Sequence, residues 1–395
     1  MSRRAVVLPA LASVLALVLA GCSATHSRPR ETSQQTTSRP SVSITSSAPQ
    51  PLTGKFSATP IAFATAQVGL VMINGFAGSS GEASSWQERT TDGGVTWVAD
   101  PVTHAQGGAS TQIGLSFVSA SEGWAYQPNL LFTTDGGATW QPEPKGPAGV
   151  DALATYGMST WINEYPCRPL NCLYETTGVG GRLTLLTNQL ARSDNFGTVL
   201  RPSENTAWVL TANSRSRDQL LTTVDGGHSW RTEPTPCAAG VGNSMSIYGG
   251  SQTGLYLMCV GASQGMCSEC GARELYRSTD NGATWTRETS QAGQGYGPIT
   301  PTNFIEPVGS ATLWAIHAPD AGPSAVLRSS NSGRTWSAVK FGDNIQSFVA
   351  LDAQHAWFVT ETMSQAGAIS FDVHRTTDAG RTWQTSALPI PAGLS

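Results

Sequence analysis

The chain is poor in charge. Only 13% of its 395 residues are Asp, Glu, Lys or Arg, and lysine occurs three times, as Lys55, Lys145 and Lys340. The formal net charge is −4, and Arg3, Arg4, Arg28, Arg30 and Arg39 all precede residue 40, so the remainder is more acidic than the whole. Phosphate binding needs clustered Lys and Arg. A nucleic-acid partner is therefore excluded, and no polybasic patch exists for anionic lipid. Long apolar runs are missing too. The longest runs from Ala5 to Leu19, short for a membrane span. There is no His-Glu-x-x-His, Gly-x-Ser-x-Gly or phosphate-loop motif, and the six histidines are scattered. No cofactor and no metal are called for. The Trp-Asp dipeptide that closes one large class of β-repeats is absent as well.

What the chain does have is one phrase written six times. It reads TTDGGVTW ending at Trp97, TTDGGATW at Trp140, TVDGGHSW at Trp230, STDNGATW at Trp285, SSNSGRTW at Trp336 and TTDAGRTW at Trp383. Ser or Thr ends a strand, a turn follows, and Thr-Trp begins the next strand. Glycine supplies the positive φ of a tight hairpin. The carboxylates of Asp92, Asp135, Asp225, Asp280 and Asp378 can accept hydrogen bonds from their own turns. Asn331 stands where the fifth copy should have Asp, and its amide can still accept. The tryptophans are large apolar anchors for a neighbouring unit. The phrase resembles the Asp-box of sialidase-like propellers, S/T-x-D-x-G-x-T-W.

A second repeat runs out of phase with the first. Short strand-like pieces, most of them carrying Trp, centre on residues 70, 124, 161, 208, 256, 314 and 357. There are seven of these against six boxes, and the boxes ending at Trp140 and Trp230 are 90 residues apart, about two units. One unit has therefore lost its box, and its eroded turn is expected near Thr187-Asn188-Gln189. Six of the 12 tryptophans sit in boxes and five in the second motif, so the Trp content reads as scaffold. Seven units of four short strands predict an all-β fold, a single seven-bladed β-propeller of four-stranded antiparallel blades spanning residues 54–395. A radial repeat escapes the usual size limit of one core because each blade packs on its neighbours. The first blade begins with its own strand and the last ends with its own. Closure is therefore expected by face packing of blades 1 and 7, without an exchanged strand.

Residues 1–21 read as a leader: Arg3-Arg4, the apolar run, then Leu19-Ala20-Gly21-Cys22. The ending resembles the bacterial lipoprotein lipobox, which implies cleavage before Cys22 and a diacylglycerol anchor on its sulfur. Residues 22–53 are rich in Ser, Thr and Pro and read as a disordered tether. The expected place is the bacterial cell membrane, facing outward.

Six further cysteines suggest disulfides in an exported chain. The expected pairing is Cys167–Cys172, Cys237–Cys259 and Cys267–Cys270. In a propeller the A–B and C–D turns of each blade share one rim, and the B–C and D–A loops share the other. The boxes are C–D turns. The longest insertions fall on the opposite rim: residues 163–182, 260–273 and Gln291 to Asn303. Loops on a rigid scaffold are where binding usually resides. The first of these offers Glu164, Tyr165, Arg168, Tyr174, Glu175 and Arg182 as candidate binding residues.

The sialidase resemblance would imply an exo-acting glycoside hydrolase on extracellular glycans, with an arginine cluster, a Tyr/Glu nucleophile pair and an Asp acid/base. Its first arginine lies in an Arg-Ile/Leu-Pro motif, which this chain lacks, and those enzymes have six blades. Over residues 55–390 the organisation resembles the photosystem II stability/assembly factor family, single seven-bladed propellers that pair a Gly-Trp strand with a T-x-D-G-G-x-T-W turn. That family's partner-binding arginine patch has no counterpart visible in this sequence. The resemblance implies a scaffold that binds proteins. The expectation is a monomeric, non-catalytic binding module for a protein or cell-envelope glycan; the alternative is the hydrolase.

Overall fold

A computed structural model describes residues 55–76, 85–101, 114–126, 129–143, 146–147, 149–164, 167, 171–190, 195–212, 219–237, 244–250, 254–261, 273–291, 304–318, 323–342, 344–365 and 367–389. Every regular element among them is a β-strand. Blade 1 is β1 (Lys55–Phe63), β2 (Gly69–Phe76), β3 (Ser85–Thr90) and β4 (Val98–Pro101). Blade 2 is β5 (Gly114–Phe117), β6 (Gly123–Tyr126), β7 (Leu131–Thr133) and β8 (Gln141–Pro142). Blade 3 is β9 (Val150–Tyr156), β10 (Ser159–Glu164), β11 (Asn171–Thr177) and β12 (Thr184–Leu190). Blade 4 is β13 (Asn195–Leu200), β14 (Ala207–Ala212), β15 (Gln219–Thr223) and β16 (Arg231–Glu233). Blade 5 is β17 (Ser244–Gly250), β18 (Gly254–Val260), β19 (Arg273–Ser278) and β20 (Thr286–Gln291). Blade 6 is β21 (Phe304–Pro307), β22 (Leu313–His317), β23 (Ser324–Ser329) and β24 (Ser337–Gly342). Blade 7 is β25 (Ile345–Ala350), β26 (Ala356–Met363), β27 (Ile369–Thr376) and β28 (Gln384–Ala387).

Each blade is one antiparallel sheet in the order A-B-C-D, and no strand crosses from one blade to another. The seven-bladed propeller and its closure without strand exchange are thus as expected. The hydrophobic core is divided among the seams between blades. One cluster joins Leu70 and Met72 of blade 1 to Ala125, Leu131 and Trp140 of blade 2. Another joins Trp161 and Leu173 of blade 3 to Val199, Val209 and Leu221 of blade 4. The closing seam sets Ala58, Phe63, Val71 and Trp97 against Trp357, Val359, Phe371 and Val373. The second repeat supplies the middle of these layers: Trp124, Trp161, Tyr256, Trp314 and Trp357 are among the largest fully buried side chains.

The six boxes share one geometry. In the first, Thr90 Oγ1 donates to Asp92 Oδ1 at 2.8 Å and accepts from the Gly94 N–H at 2.8 Å. Asp92 Oδ1 accepts the Thr96 N–H at 3.0 Å, and Oδ2 accepts the Thr96 hydroxyl at 2.6 Å. The residue after the x of D-x-G-x, Gly94 here, lies at φ 82 to 92° in every box and is Gly in every copy. The residue before it is Asn281, Ser332 or Ala379 in three boxes, at φ 61 to 63°. Asn331 keeps the hairpin as expected. Its Oδ1 accepts the Thr335 N–H at 2.9 Å, while its Nδ2 donates to Thr335 Oγ1 at 2.8 Å in place of the usual carboxylate contact.

The eroded turn of blade 3 is not at residues 187–189, which lie inside β12. It is Thr176-Thr177-Gly178-Val179-Gly180-Gly181-Arg182-Leu183, with Gly178 in the Asp place and Leu183 in the Trp place. Gly178 (φ 73°) and Gly180 (φ 66°) bend the chain, and the Gly178 N–H donates to Met158 O at 2.7 Å. That bond replaces the one by which the other boxes grip their own A–B turns, such as Gly136 N–H to Ser121 O at 2.8 Å.

Candidate functional site

The rim opposite the boxes is braced by two of the expected disulfides. Cys167–Cys172 closes the loop between β10 and β11, with Cα atoms 5.6 Å apart. Cys237–Cys259 ties the segment after β16 to the end of β18, joining blades 4 and 5 across their seam. Cys267, Cys270, Tyr165, Arg168 and Cys22 lie outside the described residues.

Glu164 ends β10 and pairs in register with Cys172. Tyr174, two residues further along β11, donates its hydroxyl to Glu164 Oε2 at 3.0 Å. Burial, and secondarily the adjacent Glu164 carboxylate, pushes the Tyr174 hydroxyl above its ordinary pKa. The Glu164 carboxylate and both sulfurs lie within 4.8 Å of one another, a spacing that would suit a metal ion. The sulfurs are joined to each other, however, and neither offers a thiolate. The cluster is therefore a brace that fixes where the 165–170 loop leaves and re-enters the blade.

The rest of the 163–182 insertion is not a loop. Residues 171–177 form β11, which pairs with β10 on one side and β12 on the other and buries Cys172, Leu173 and Thr176. Glu175 and Arg182 consequently fall toward the box rim, at the far end of the blade from Glu164. Glu175 accepts from Ser159 Oγ at 2.6 Å, from Trp161 Nε1 at 3.2 Å and from Arg201 Nη2 at 3.1 Å. Burial raises its pKa, but these donors outweigh burial and hold the carboxyl below its ordinary range. Arg201, almost wholly buried, also lies 4.5 Å from the Trp161 ring centroid. Sequence reasoning missed Arg201, which belongs to the next blade and meets Glu175 only through the fold.

The box carboxylates are occupied in the same way. The Ser229 hydroxyl and N–H hold Asp225 at about 2, Thr284 does so for Asp280, and Thr382 for Asp378. For Asp92, burial works upward, yet the bonds from Thr96, Thr90 and Val95 bring it to about 2. A carboxylate that ionised and that fully bonded is a poor proton donor near neutral pH. Trp97, Trp140, Trp230, Trp285, Trp336 and Trp383 are partly or fully buried and pack on the preceding blade, as Trp230 does on Trp161 with ring centroids 6.1 Å apart. A different acid sits on the innermost strand of blade 6. Burial raises Glu306 to about 7, and no box motif marks it.

The BNR/Asp-box repeat family model matches residues 276–287, the box of blade 5. Among solved structures, a prolyl endopeptidase is similar at 10% identity, covering 87% of this chain and 51% of its own, with a TM-score of 0.54. YCF48 bound to a D1 peptide is similar at 16% identity, covering 70% of this chain and 81% of its own, TM-score 0.46. The GH74 enzyme of Niastella koreensis is similar at 15% identity, covering 85% and 63%, TM-score 0.33. At 10% identity the likeness to the prolyl endopeptidase is one of fold alone. No curated protein matches the chain. No helix among the described residues is long and apolar enough to cross a membrane.

Proposed function

We propose that this Asp-box repeat propeller is a non-catalytic binding module, held outside the cell membrane by a lipid on Cys22 and a tether of residues 22–53, and that it captures a protein or envelope glycan on its disulfide-bearing rim. The observation that carries this reading is that both disulfides brace one rim, while the box carboxylates on the other are bonded into their own hairpins. Pre-ordered loops lose less entropy on binding. Replacing residues 165, 166 and 168–170 with Gly and Ser keeps the Cys167–Cys172 disulfide and leaves the sequences of β10 and β11 unchanged. Recovery of a cross-linked envelope component should fall against wild type, and equal recovery by a folded variant overturns the rim assignment. Cys22→Ser should move the chain from the membrane fraction to the soluble one.

Glu306 favours a second reading. A carboxyl raised to about 7 is what a glycosidase acid needs, although hydrolysis also needs a second carboxylate at a set distance. Turnover of a fluorogenic glycoside by the full chain, abolished in Glu306→Gln, would replace the binding reading with the hydrolase.

A further inference from the structure

The residue just before each box follows a pattern of its own. It is Arg89, Phe132, Glu175, Thr222, Arg277, Arg328 and Arg375 in blades 1 to 7. Each pairs in register with the residue of the neighbouring B strand that marks the second repeat: Leu70, Trp124, Trp161, Trp208, Tyr256, Trp314 and Trp357. Three of these arginines stitch seams. Arg277 lies 5.8 Å from the Tyr256 ring centroid and donates to Ser310 O of blade 6 at 3.2 Å. Arg328 lies 5.6 Å from the Trp314 ring and reaches Ala353 O of blade 7 at 3.5 Å. Arg375 reaches Asp92 O and Gly93 O of blade 1, each at 3.4 Å. Between blades 3 and 4 the polarity is reversed, with Glu175 on the strand and Arg201 arriving from blade 4 over Trp161. Guanidinium over an aromatic ring, hydrogen-bonded to the facing blade, is thus the recurring filling of the box rim.

The seam between blades 4 and 5 keeps the ring and lacks the arginine. Its B-strand ring is Trp208 and its strand-C partner is Thr222, which is buried with no hydrogen-bond partner for Oγ1. At this seam the rim holds a cavity of about 360 Å³, lined by Thr206 and Trp208 on one side and Gly254, Thr279 and Asn281 on the other. Arg277 also borders it but directs its guanidinium to Ser310 O in the next seam. Asp280 and Asn281 occupy the box places that Asp92 and Gly93 hold in blade 1, where backbone carbonyls receive Arg375. The Asp280 carboxylate adds a fixed negative charge.

We propose that this cavity receives the guanidinium of an arginine side chain from a partner polypeptide, stacked against Trp208 where the chain's own arginines fill the neighbouring seams. Lysine should fit poorly, because a compact, strongly hydrated ammonium gains less from stacking on an indole than a planar, weakly hydrated guanidinium does. The site lies on the rim opposite the disulfides, so it stands or falls separately from the function proposed above.

The test titrates the full chain with capped Gly-Arg-Gly, followed by the indole NMR signal of Trp208. A saturable shift is expected, with Gly-Lys-Gly and the uncharged citrulline analogue binding roughly tenfold more weakly or worse. Thr222→Arg should fill the cavity from within, abolish the shift and raise the melting temperature, while Thr222→Val retains binding. Equal affinity for the arginine and citrulline peptides overturns the proposal. So does undiminished binding by folded Thr222→Arg, or a monosaccharide shifting Trp208 more than the arginine peptide does. The peptide comparison on wild type decides the matter even if Thr222→Arg does not fold.

Discussion

The seam that closes the ring and the seam between blades 2 and 3 start from the same parts and end differently. At the closure, Trp357 is fully buried, stacks on Phe63 at 3.7 Å and donates Nε1 to Gly93 O of the first box at 2.8 Å. Ser386 Oγ donates to Gly94 O at 2.9 Å and accepts from Trp97 Nε1 at 3.2 Å, and Ser347 Oγ donates to Ala58 O at 2.7 Å. Trp124 is buried just as deeply between blades 2 and 3, yet its Nε1 has no partner. The carbonyl that should meet it belongs to a box, and blade 3 has lost its box. Blades 2 and 3 are joined by the short segment between Pro142 and Val150, so their seam tolerates the loss. Blades 7 and 1 meet at opposite ends of the propeller sequence, and closing so long a loop carries an entropic cost that their contacts must offset.

The sharpest way to break the comparison is Trp357→Ala. Removing a fully buried Trp costs about 3–5 kcal/mol, and at the closure it also strips Gly93 O of its shorter hydrogen bond, leaving only the 3.4 Å contact from Arg375. Urea unfolding should show a loss in that range and a lower slope if the ring opens before the blades melt. A loss below about 1 kcal/mol would mean that the seam does not hold the ring.

Acid should attack the same blade. Burial, with Lys340 adding to it, lowers His374 from 6.5 to about 4. Its ring lies on Phe358 at 4.5 Å, with Thr360 Oγ1 2.9 Å from Nε2 and Thr385 Oγ1 2.8 Å from Nδ1. The folded state keeps His374 neutral where the unfolded chain would protonate it. Its contribution is therefore complete above pH 6.5 and is lost as the pH falls toward 4. The loss should be about 2 kcal/mol once partial solvent screening is allowed for. His374→Gln should flatten the melting temperature between pH 6.5 and 4, and an unchanged slope would remove His374 from the account.

Asp135→Ala imposes on blade 2 the erosion that blade 3 already carries. It strips acceptors from the Thr139 N–H and from the hydroxyls of Thr133 and Thr139. A loss of about 1–2 kcal/mol is expected, as for a capping side chain. The Asp280→Ala counterpart in blade 5, beside the Trp208 cavity, should also weaken capture of the arginine peptide.

Much of this architecture was legible in the letters because each box is local: Thr, Asp, Gly and Trp act within eight residues, and a spaced glycine reports its own positive φ. The pairings Cys167–Cys172 and Cys237–Cys259 were legible because each joins neighbouring pieces of one rim. The eroded turn was misplaced because it was sought among polar turn formers at 187–189, whereas Gly178, Gly180 and Gly181 carry it. Glu175 falls inside the 163–182 insertion that the sequence suggests, whereas strand pairing resumes at Asn171. Arg201 and the cavity beside Trp208 were out of reach for a different reason: they exist only where two blades meet. The recurring arginine before the box was visible, but its meaning depends on the carbonyls it crosses a seam to find.

The smallest expected effect separates the two seams most cleanly. Trp357→Phe keeps an aromatic ring at the closure but loses the 2.8 Å bond to Gly93 O, leaving that carbonyl only the longer contact from Arg375. Trp124→Phe makes the same change of shape between blades 2 and 3, where there is no bond to lose and an unpaired buried N–H is removed. An unmet buried donor costs about 1–3 kcal/mol, so that relief should nearly cancel the packing lost with the larger ring. Trp124→Phe should change stability by less than about 1 kcal/mol, and Trp357→Phe should cost about 1–3 kcal/mol more than its counterpart. Parallel urea denaturation of the two variants measures the difference directly, with the ring change common to both. Equal losses would show that Trp124 Nε1 has a partner in solution, a bound water being the simplest, and that the boxless seam is sealed differently from the way its missing carbonyl suggests.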